Sequence, residues 1–329
     1  MVETHVHYPT DINLLLDAVR KTIKLTADYA RMTGIGGWRQ STYNCRQVKR
    51  AHRRTQKMKH SSSRDALKKA KRQQEIVKAH RDYVALARQF VRKSQQTLAT
   101  EVADMSLPAM AKSLEIQTYI QHAQRQMEQI ERRVMHGETI PHHEKVFSIF
   151  QPHTEWISKG KAGVAVELGL KVCIVEDSDG FLLHHRVMEK QSDDQIAIEL
   201  ITETQVRYPT LRVCSFDKGF HSPSNQVELA KRLDRVVLPK KGRCNKAEQE
   251  RENSEAFKTS RRQHSAVESG INALEVHGLD RCPDHGLHGF KRYVALAVVA
   301  RNIQKLGAEL QQKLRQQEKR KRHRDQLAA

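Results

Sequence analysis

The sequence has few cysteines and no long apolar run. Its 329 residues include only 5 Cys, at 45, 173, 214, 244 and 282, an odd number without close pairing. This spacing excludes a disulfide framework and is typical of a reducing compartment. The longest apolar run, Tyr293 to Ala300, is far too short to span a bilayer. The opening residues, MVETHVHYPTD, lack the basic and apolar segments of a secretory signal. We therefore expect a soluble, cytoplasmic protein.

The charge is strongly one-sided. The chain has 58 Lys and Arg against 38 Asp and Glu, a net charge of +20 at pH 7. Lys and Arg gain affinity for polyanions by displacing counterions from phosphates, so this excess predicts a nucleic-acid partner and association with the nucleoid. The densest block, residues 46–81, contains fourteen Lys or Arg and two acids. It is the favoured contact with the DNA backbone, and a solvated face is the alternative.

The first part of the chain changes period after a short strand-like segment. Val2 to Tyr8 alternates apolar and polar residues, and Pro9 ends that pattern. From residue 11 onward apolar side chains recur at helical spacing, until Gly137 and Pro141 close the block. Residues 11–136 are therefore predicted to be all-helical.

After Pro141 the pattern becomes that of a mixed α/β sheet with flanking helices. Ser178-Asp179-Gly180 predicts a hairpin turn between two strands. The predicted strands are KVFSIF (145–150), VAVELGLKVCIVED (164–177), FLLHHRVME (181–189), LRVCSF (211–216) and DRVVLP (234–239). The predicted helices are 193–206, 224–233, 261–276 and a last one from 290 onward.

One apolar run ends abruptly in a carboxylate. In VCSFDKGFHSP, Val213 to Pro223, the predicted strand stops at Asp217 and Lys218-Gly219 follows at once. Asp and Gly are ordinary turn residues, so a simple turn explains the pattern. The carboxyl end of a core strand is also where open sheets place their chemistry. The next helices decide which interpretation is favoured.

A helix about fifty residues further on carries matching charges. In RRQHSAVESGINAL its apolar stripe comprises Val267, Ile271 and Leu274. Its polar stripe comprises Arg261, His264, Glu268, Asn272 and Glu275. A solvated helix face gives the same pattern, but the order of strand-end Asp and then helix Glu favours a site. Paired carboxylates can hold Mg²⁺, and two such ions promote phosphodiester exchange.

The motifs resemble those of the DDE transposases of bacterial insertion sequences, with the ISNCY type the most similar group. The motifs that carry the resemblance are SFDKGFHSP, LPKKGR (238–243) and RRQHSAVESGINALEVHGLDRC. FKRYVALAVVARNIQKLG (290–307) resembles the closing segment of these enzymes, and VETHVHYPTD resembles the stretch that leaves their first catalytic strand. The resemblance implies a ribonuclease H-like mixed sheet with flanking helices and a long all-helical insertion. It also implies metal-dependent DNA cleavage and strand transfer.

Residue by residue, the resemblance makes Asp217 the second catalytic acid and Glu268 the third, both ligands of Mg²⁺ or Mn²⁺. The implied partners are transposon ends and target DNA, bound by a homo-oligomer. The residues predicted to contact DNA are Lys218, Lys240, Lys241, Arg261, Arg262 and His264. The expected domains are a first-strand remnant (1–10), a basic helical insertion (11–140), a catalytic core (141–310) and a basic tail (311–329).

The first acid is the point of departure from the family. In these transposases it lies just ahead of the VETHVHYPTD-type segment, and here Met1 falls within that strand. Glu3 and Asp11 are the nearest acids, and Glu3 is displaced from the family's position. We interpret the chain as the C-terminal part of a transposase that lacks its first acid. The alternatives are a non-catalytic DNA-binding remnant and a metal-dependent nuclease unrelated to transposition.

Overall fold

The fold is described from a computed structural model over residues 1–102, 104–158, 166–264 and 266–328. Contacts within the chain group it into two units. One unit is Val6–Pro152, and the other joins Met1–His5 to His153–Ala329. The first unit therefore interrupts the second in sequence. No helix in the described part of the chain is both long and apolar enough to cross a membrane.

The Val6–Pro152 unit is built from four long helices. They are α1 (Asp11–Thr33), α2 (Ser41–Gln56), α3 (Ala66–Leu98) and α4 (Leu107–Ile130), the last continued by a π-helical turn at Glu131–Met135. Thr10, Asp65 and Ser106 cap three of these helices by accepting backbone N–H groups of the first turn. The core contains fully buried Tyr29 and Tyr83. The all-helical prediction for residues 11–136 is confirmed.

The strand predicted at 145–150 is wrong. This segment lies in the helical unit, where buried Ile149 and half-buried Val146 pack against the helical core. The Ser148 hydroxyl accepts the N–H groups of Phe150 and Gln151 at 3.2 and 3.0 Å, which closes a local turn. The apolar residues that suggested a strand therefore cover helices.

The other unit contains seven short or medium strands. They are β1 (Val2–Thr4), β2 (Glu155–Ser158), β3 (Val166–Glu176), β4 (Leu182–Met188), β5 (Val213–Ser215), β6 (Arg235–Val237) and β7 (Arg281–Cys282). β3 pairs antiparallel with β1, β2 and β4, and β1 also pairs parallel with β7. β5 and β6 form a separate parallel pair. The first two residues of the strand predicted at 164–177 lie outside the described residues, and β2 and β7 were not predicted.

The predicted hairpin turn between β3 and β4 is present. The Asp177 carboxylate accepts the N–H groups of Asp179 and Phe181 at 2.9 and 2.8 Å. Gly180 has a φ of 86°, a conformation that side chains rarely adopt. The turn therefore needs both the Asp and the Gly that the sequence supplies.

Six helices accompany these strands. They are α5 (Asp193–Arg207), α6 (Pro223–Ala230), α7 (Lys246–Asn253), α8 (Glu255–His264), α9 (Ala266–Leu274) and α10 (Gly286–Ala328). The single helix predicted at 261–276 is thus α8 and α9, with residue 265 between them outside the described residues. α10 continues as helix through the predicted tail, and α7 was not predicted. The unit is mixed α/β, as expected.

Helices α5 and α10 lie on opposite faces of β4. Arg186 of β4 forms ion pairs with Glu199 and Glu203 of α5, at 2.8 and 3.4 Å. Its neighbour Val187 packs into the apolar cluster that contains Phe290 of α10. Since successive strand side chains point to opposite faces, the sheet has a helix on each side.

Candidate active site

Asp217 lies immediately beyond β5, where the chain leaves the sheet. The preceding residue, Phe216, is buried and donates its N–H to the Val237 carbonyl of the paired strand at 2.9 Å. A short 3-10 turn, Lys218–Phe220, follows the aspartate. The Asp217 side chain is 68% exposed. The strand end is therefore fixed, while the carboxylate itself stays accessible to a ligand.

Helix α8 brings two cationic or protonatable side chains to Asp217. The Nε2 atom of His264 lies 3.1 Å from Asp217 Oδ1, and a guanidinium nitrogen of Arg261 lies 3.7 Å from the same oxygen. Arg261 also donates to the Phe216 carbonyl at 3.0 Å. Residues three apart on a helix share a face, so the predicted polar stripe converges on the predicted aspartate.

These contacts keep the carboxylate ionised. The hydrogen bond from His264 lowers the pKa of Asp217, partial burial opposes that shift, and the charges of His264 and Arg261 lower the pKa further. An ionised Asp is the form that binds cations, since its oxygens only accept. The group at the end of β5 is thus prepared to act as a ligand.

Glu268 is not in contact with this group in the described structure. It is exposed on α9, one helical turn beyond His264 and on the same side of the helix axis as that residue. Among the contacts of the described residues, none joins Glu268 to Asp217. Nor do those residues contain a group of three His, Cys, Asp or Glu placed to hold a metal ion. The structure brings Arg261 and His264 to Asp217, and leaves Glu268 apart.

The predicted DNA-contact lysines differ in how far their charges are already neutralised. Lys240 forms an ion pair with Glu248 of α7 at 2.6 Å, and its backbone N–H donates to Glu252. Lys218 and Lys241 are exposed, as is Arg262 on α8. A phosphate near this surface would therefore meet Lys218 and Lys241 more readily than Lys240.

A cleft of about 1000 Å³ lies next to Asp217. It is lined by β3, β5 and the helices α5, α8 and α9, and Asp217 and His264 are among its lining residues. At its other end Glu176 presents a buried carboxylate whose pKa is raised by burial. A Cβ atom at Gly270 of α9 would overlap that carboxylate. Sequence reasoning missed Glu176. The glycine inside a helical stripe was the one signal of a close approach there.

Comparison with known families places this geometry. A family model for the transposase DDE domain matches residues 130–303, which include β2 to β7, Asp217 and Glu268. The chain belongs to this family. No curated protein and no solved structure matches the chain. As a DDE transposase domain, the chain carries its strand-end aspartate and its helix glutamate within the matched segment.

The pKa of Asp217 in this DDE domain is expected to depend on His264. In His264→Ala the hydrogen bond is lost, so the Asp217 pKa should rise toward the ordinary Asp range of about 3.9. Because the folded-state pKa is lowered, the stabilisation from this contact is present above the unfolded pKa. It is lost as pH falls through the folded value. Carboxyl NMR titration of both proteins measures the shift.

Lys258→Ala is the matched control for that titration. Lys258 lies on the same helix and pairs with Glu255 at 3.6 Å. Its removal also deletes positive charge but leaves the His264 contact in place. Equal shifts of Asp217 in both variants would mean that general charge, and not the hydrogen bond, sets its pKa.

Proposed function

We propose that the chain is the catalytic part of an insertion-sequence transposase of the ISNCY type, which cuts and joins DNA with a divalent metal. The observation that carries the proposal is the ionised Asp217 at the end of β5, held by Arg261 and His264 beside an open cleft. Asp217 is proposed as the second acid and Glu268 as the third. Nicking of a duplex that contains transposon ends, with Asp217→Ala as control, tests the activity.

A ribonuclease H-like core is part of this proposal. It is supported by the order of elements: a short first strand, the β3–β4 antiparallel hairpin, helix α5, and then the parallel pair of β5 and β6. Helices on both faces of β4 are consistent with the same architecture. The domain limits proposed from the sequence, at residues 10, 140 and 310, belong to this proposal too.

The donors present match Mg²⁺ in type but not in number. Carboxylate oxygens are the ligands that Mg²⁺ prefers, and it keeps several waters. Asp217 and Glu268 supply two carboxylates, and within the described residues no third joins them. Glu3 is already paired with Arg281 at 2.8 Å. We therefore place the first acid of the proposed enzyme in residues ahead of Met1.

The chain's own side chains would prepare the reaction. Divalent ions, when bound, supply Lewis-acid stabilisation of the attacking and leaving oxygens. His264 and Arg261 keep Asp217 ionised and fix its position. Lys218 and Lys241 are exposed near the same strand ends and are suited to contact phosphate oxygens. The polar stripe of α8 thus orients the ligand, and the lysines hold the strand.

A non-catalytic DNA-binding remnant is the second candidate. The observation that favours it is the shortage of carboxylates around Asp217 among the described residues. Such a protein would keep the basic surfaces and occupy transposon ends without cleaving them. DNA binding without nicking in Mg²⁺ would identify this function.

The oligomer proposed on DNA has a candidate surface on α10. Five exposed apolar side chains recur there at alternating spacings of three and four residues: Leu296, Val299, Ile303, Leu306 and Leu310. This is the seam pattern of paired helices. The opposite face of α10 is buried in its own unit through Phe290, Val294 and Val298. A second copy of α10 fits the pattern, because each seam is complementary to itself.

The basic helical unit is proposed to bind the DNA backbone. Residues 46–81 span the end of α2, a connecting segment and the start of α3. Lys68, Lys69 and Lys71 are exposed there. Of the nearby acids, Glu75 pairs with Arg72 at 2.9 Å. Most of the positive charge therefore faces solvent, where it can displace counterions from phosphates.

Charge reversal in this block is expected to weaken the salt dependence of DNA binding. The triple change Lys68→Glu, Lys69→Glu and Lys71→Glu should reduce the slope of log K against log salt by about 1 per lost phosphate contact. Affinity should fall to a similar extent on unrelated sequences, since backbone contacts carry no base information. Fluorescence anisotropy at several salt concentrations measures both effects.

The control reverses three exposed cations of the same unit outside the block: Lys24, Arg39 and Arg125. Both variants change the net charge equally, so long-range attraction falls equally. If the two slopes decrease by the same amount, or neither decreases, the block is a solvated face.

A further inference from the structure

One edge of β3 lies open beyond the point where β1 stops. Val2 pairs with Leu170 in antiparallel register, so Met1 stands level with Lys171 on that edge. Lys171 pairs with Met188 of β4, which must therefore occupy the other edge. From Lys171 to Glu176, β3 is thus paired on the β4 side. On the β1 side no described strand accompanies it.

β5 has an open edge as well. It pairs with β6 on one side, and no other described strand pairs with it. Both open edges line the same cleft, which β3 borders from Lys171 to Glu176 and β5 from Val213 to Ser215. An open edge presents unpaired N–H and C=O groups that accept another strand.

The two edges run in opposite directions. Lys171 pairs with Asp193 at 3.7 Å, and a Cβ atom at Gly219 would lie against that same carboxylate. The Asp217 end of β5 is therefore level with the Lys171 end of β3. Burial raises the pKa of Cys173 to about 12, and the nearby carboxylates of Asp193 and Asp217 contribute. A strand that continues β1 backward would run antiparallel to β3 and parallel to β5.

The cleft between these edges is apolar above and below. Leu200 and Ile201 of α5 line it from one face. Val267 and Ile271 of α9 line it from the side of α10, since Leu274 of α9 shares the apolar cluster of α10. A strand between such layers is buried on both faces and reads as a continuous apolar run.

Two polar side-chain atoms in the lining are buried without a partner. They are the Ser215 hydroxyl of β5 and Glu176 Oε2 of β3, neither of which has a hydrogen-bond partner in the described structure. A buried polar group without a partner is costly. Backbone N–H groups of an inserted strand would pass beside both edges and offer donors to these oxygens.

We propose that this cleft is a strand-acceptor site that takes an apolar extended segment joined to the amino side of Met1. The segment would pair antiparallel with β3 and parallel with β5, and would merge β5 and β6 with the larger sheet. Its position is set by β1, with which it is collinear. The proposal rests on the proposed function at one point, the origin of the first acid, and otherwise on the two open edges.

The full chain is extended ahead of Met1 by about six apolar β-branched residues, which span roughly 20 Å. The extension contains no acid, so the result is independent of cleavage. Amide hydrogen exchange of Val172–Val175 and Val213–Ser215 should slow by on the order of tenfold at sites facing the cleft, and the melting temperature should rise by a few degrees. A matched extension with Pro at alternate positions lacks the N–H donors and should change neither.

Both sequences are also added in trans as free peptides with two Lys at the amino end, in case the apolar extension promotes aggregation. Saturable binding of the apolar peptide and none of the Pro peptide supports the proposal. Equal exchange and melting for both extensions, with no peptide binding, would overturn it. Protection without nicking by an Asp-containing extension would leave the acceptor site standing and remove the proposed catalytic function.

Discussion

An extension ahead of Met1 that carries one Asp level with Asp217 is expected to raise Mg²⁺-dependent nicking by roughly 10²–10³-fold. Two-metal phosphoryl transfer needs carboxylates that hold both ions about 4 Å apart. Asp217 and Glu268 alone offer too few donors, and losing about 3–4 kcal/mol of charge stabilisation corresponds to that rate difference. The chain without the extension should bind DNA and cleave it poorly. Strand cleavage of a duplex with transposon ends measures both proteins.

The control is an extension of identical length with Asn in place of Asp. It fills the same space and removes only the carboxylate. Asp217→Ala in the Asp-containing protein should return cleavage to the level of the original chain. Robust cleavage by that original chain, dependent on Asp217, would contradict the prediction. It would mean that Glu3 leaves Arg281 or that another acid takes the first position.

The helical unit could be predicted from sequence because each helix is long. A stripe that recurs over 16 to 33 residues, as in α1 to α4, is a strong signal. The error at 145–150 came from a short apolar run, which periodicity cannot assign. Ile149 is buried against helices there. β7 was missed because Arg281–Cys282 has no alternation to detect, and β1 alone holds it in place.

The candidate site was predicted where charges and chain geometry coincide. Arg261 and His264 are one turn apart on a helix, so their approach to one carboxylate follows from spacing. The neutralisation of Lys240 by Glu248 could not be predicted, because it depends on α7, a short helix of low apolar content. Glu176 was missed because a charged residue at the end of a strand gives no sign of burial until α9 covers it.

Gly169→Ala is expected to detach β1 from β3 and to destabilise its unit by about 2–4 kcal/mol. A Cβ atom at Gly169 would overlap the Val2 carbonyl oxygen and the Glu3 Cα atom, both of them backbone. Neither can rotate away as a side chain would, so the strand itself must shift. The N–H of Glu3, which donates to Asp280 at 2.8 Å, should lose protection against hydrogen exchange. Urea unfolding and exchange at that amide measure the two effects.

Gly307→Ala provides the matched comparison, since it adds the same methyl group within α10, where no atom lies within 4 Å. There the change should stabilise the helix by up to about 1 kcal/mol, because Ala restricts the unfolded chain more than Gly. If both variants behave alike, β1 is not held by the backbone contact at Gly169. If only Gly169→Ala loses stability, β1 is anchored at Leu170 and Gly169. An extension ahead of Met1 should then fail to protect β3 and β5 in that variant, because its anchor is gone.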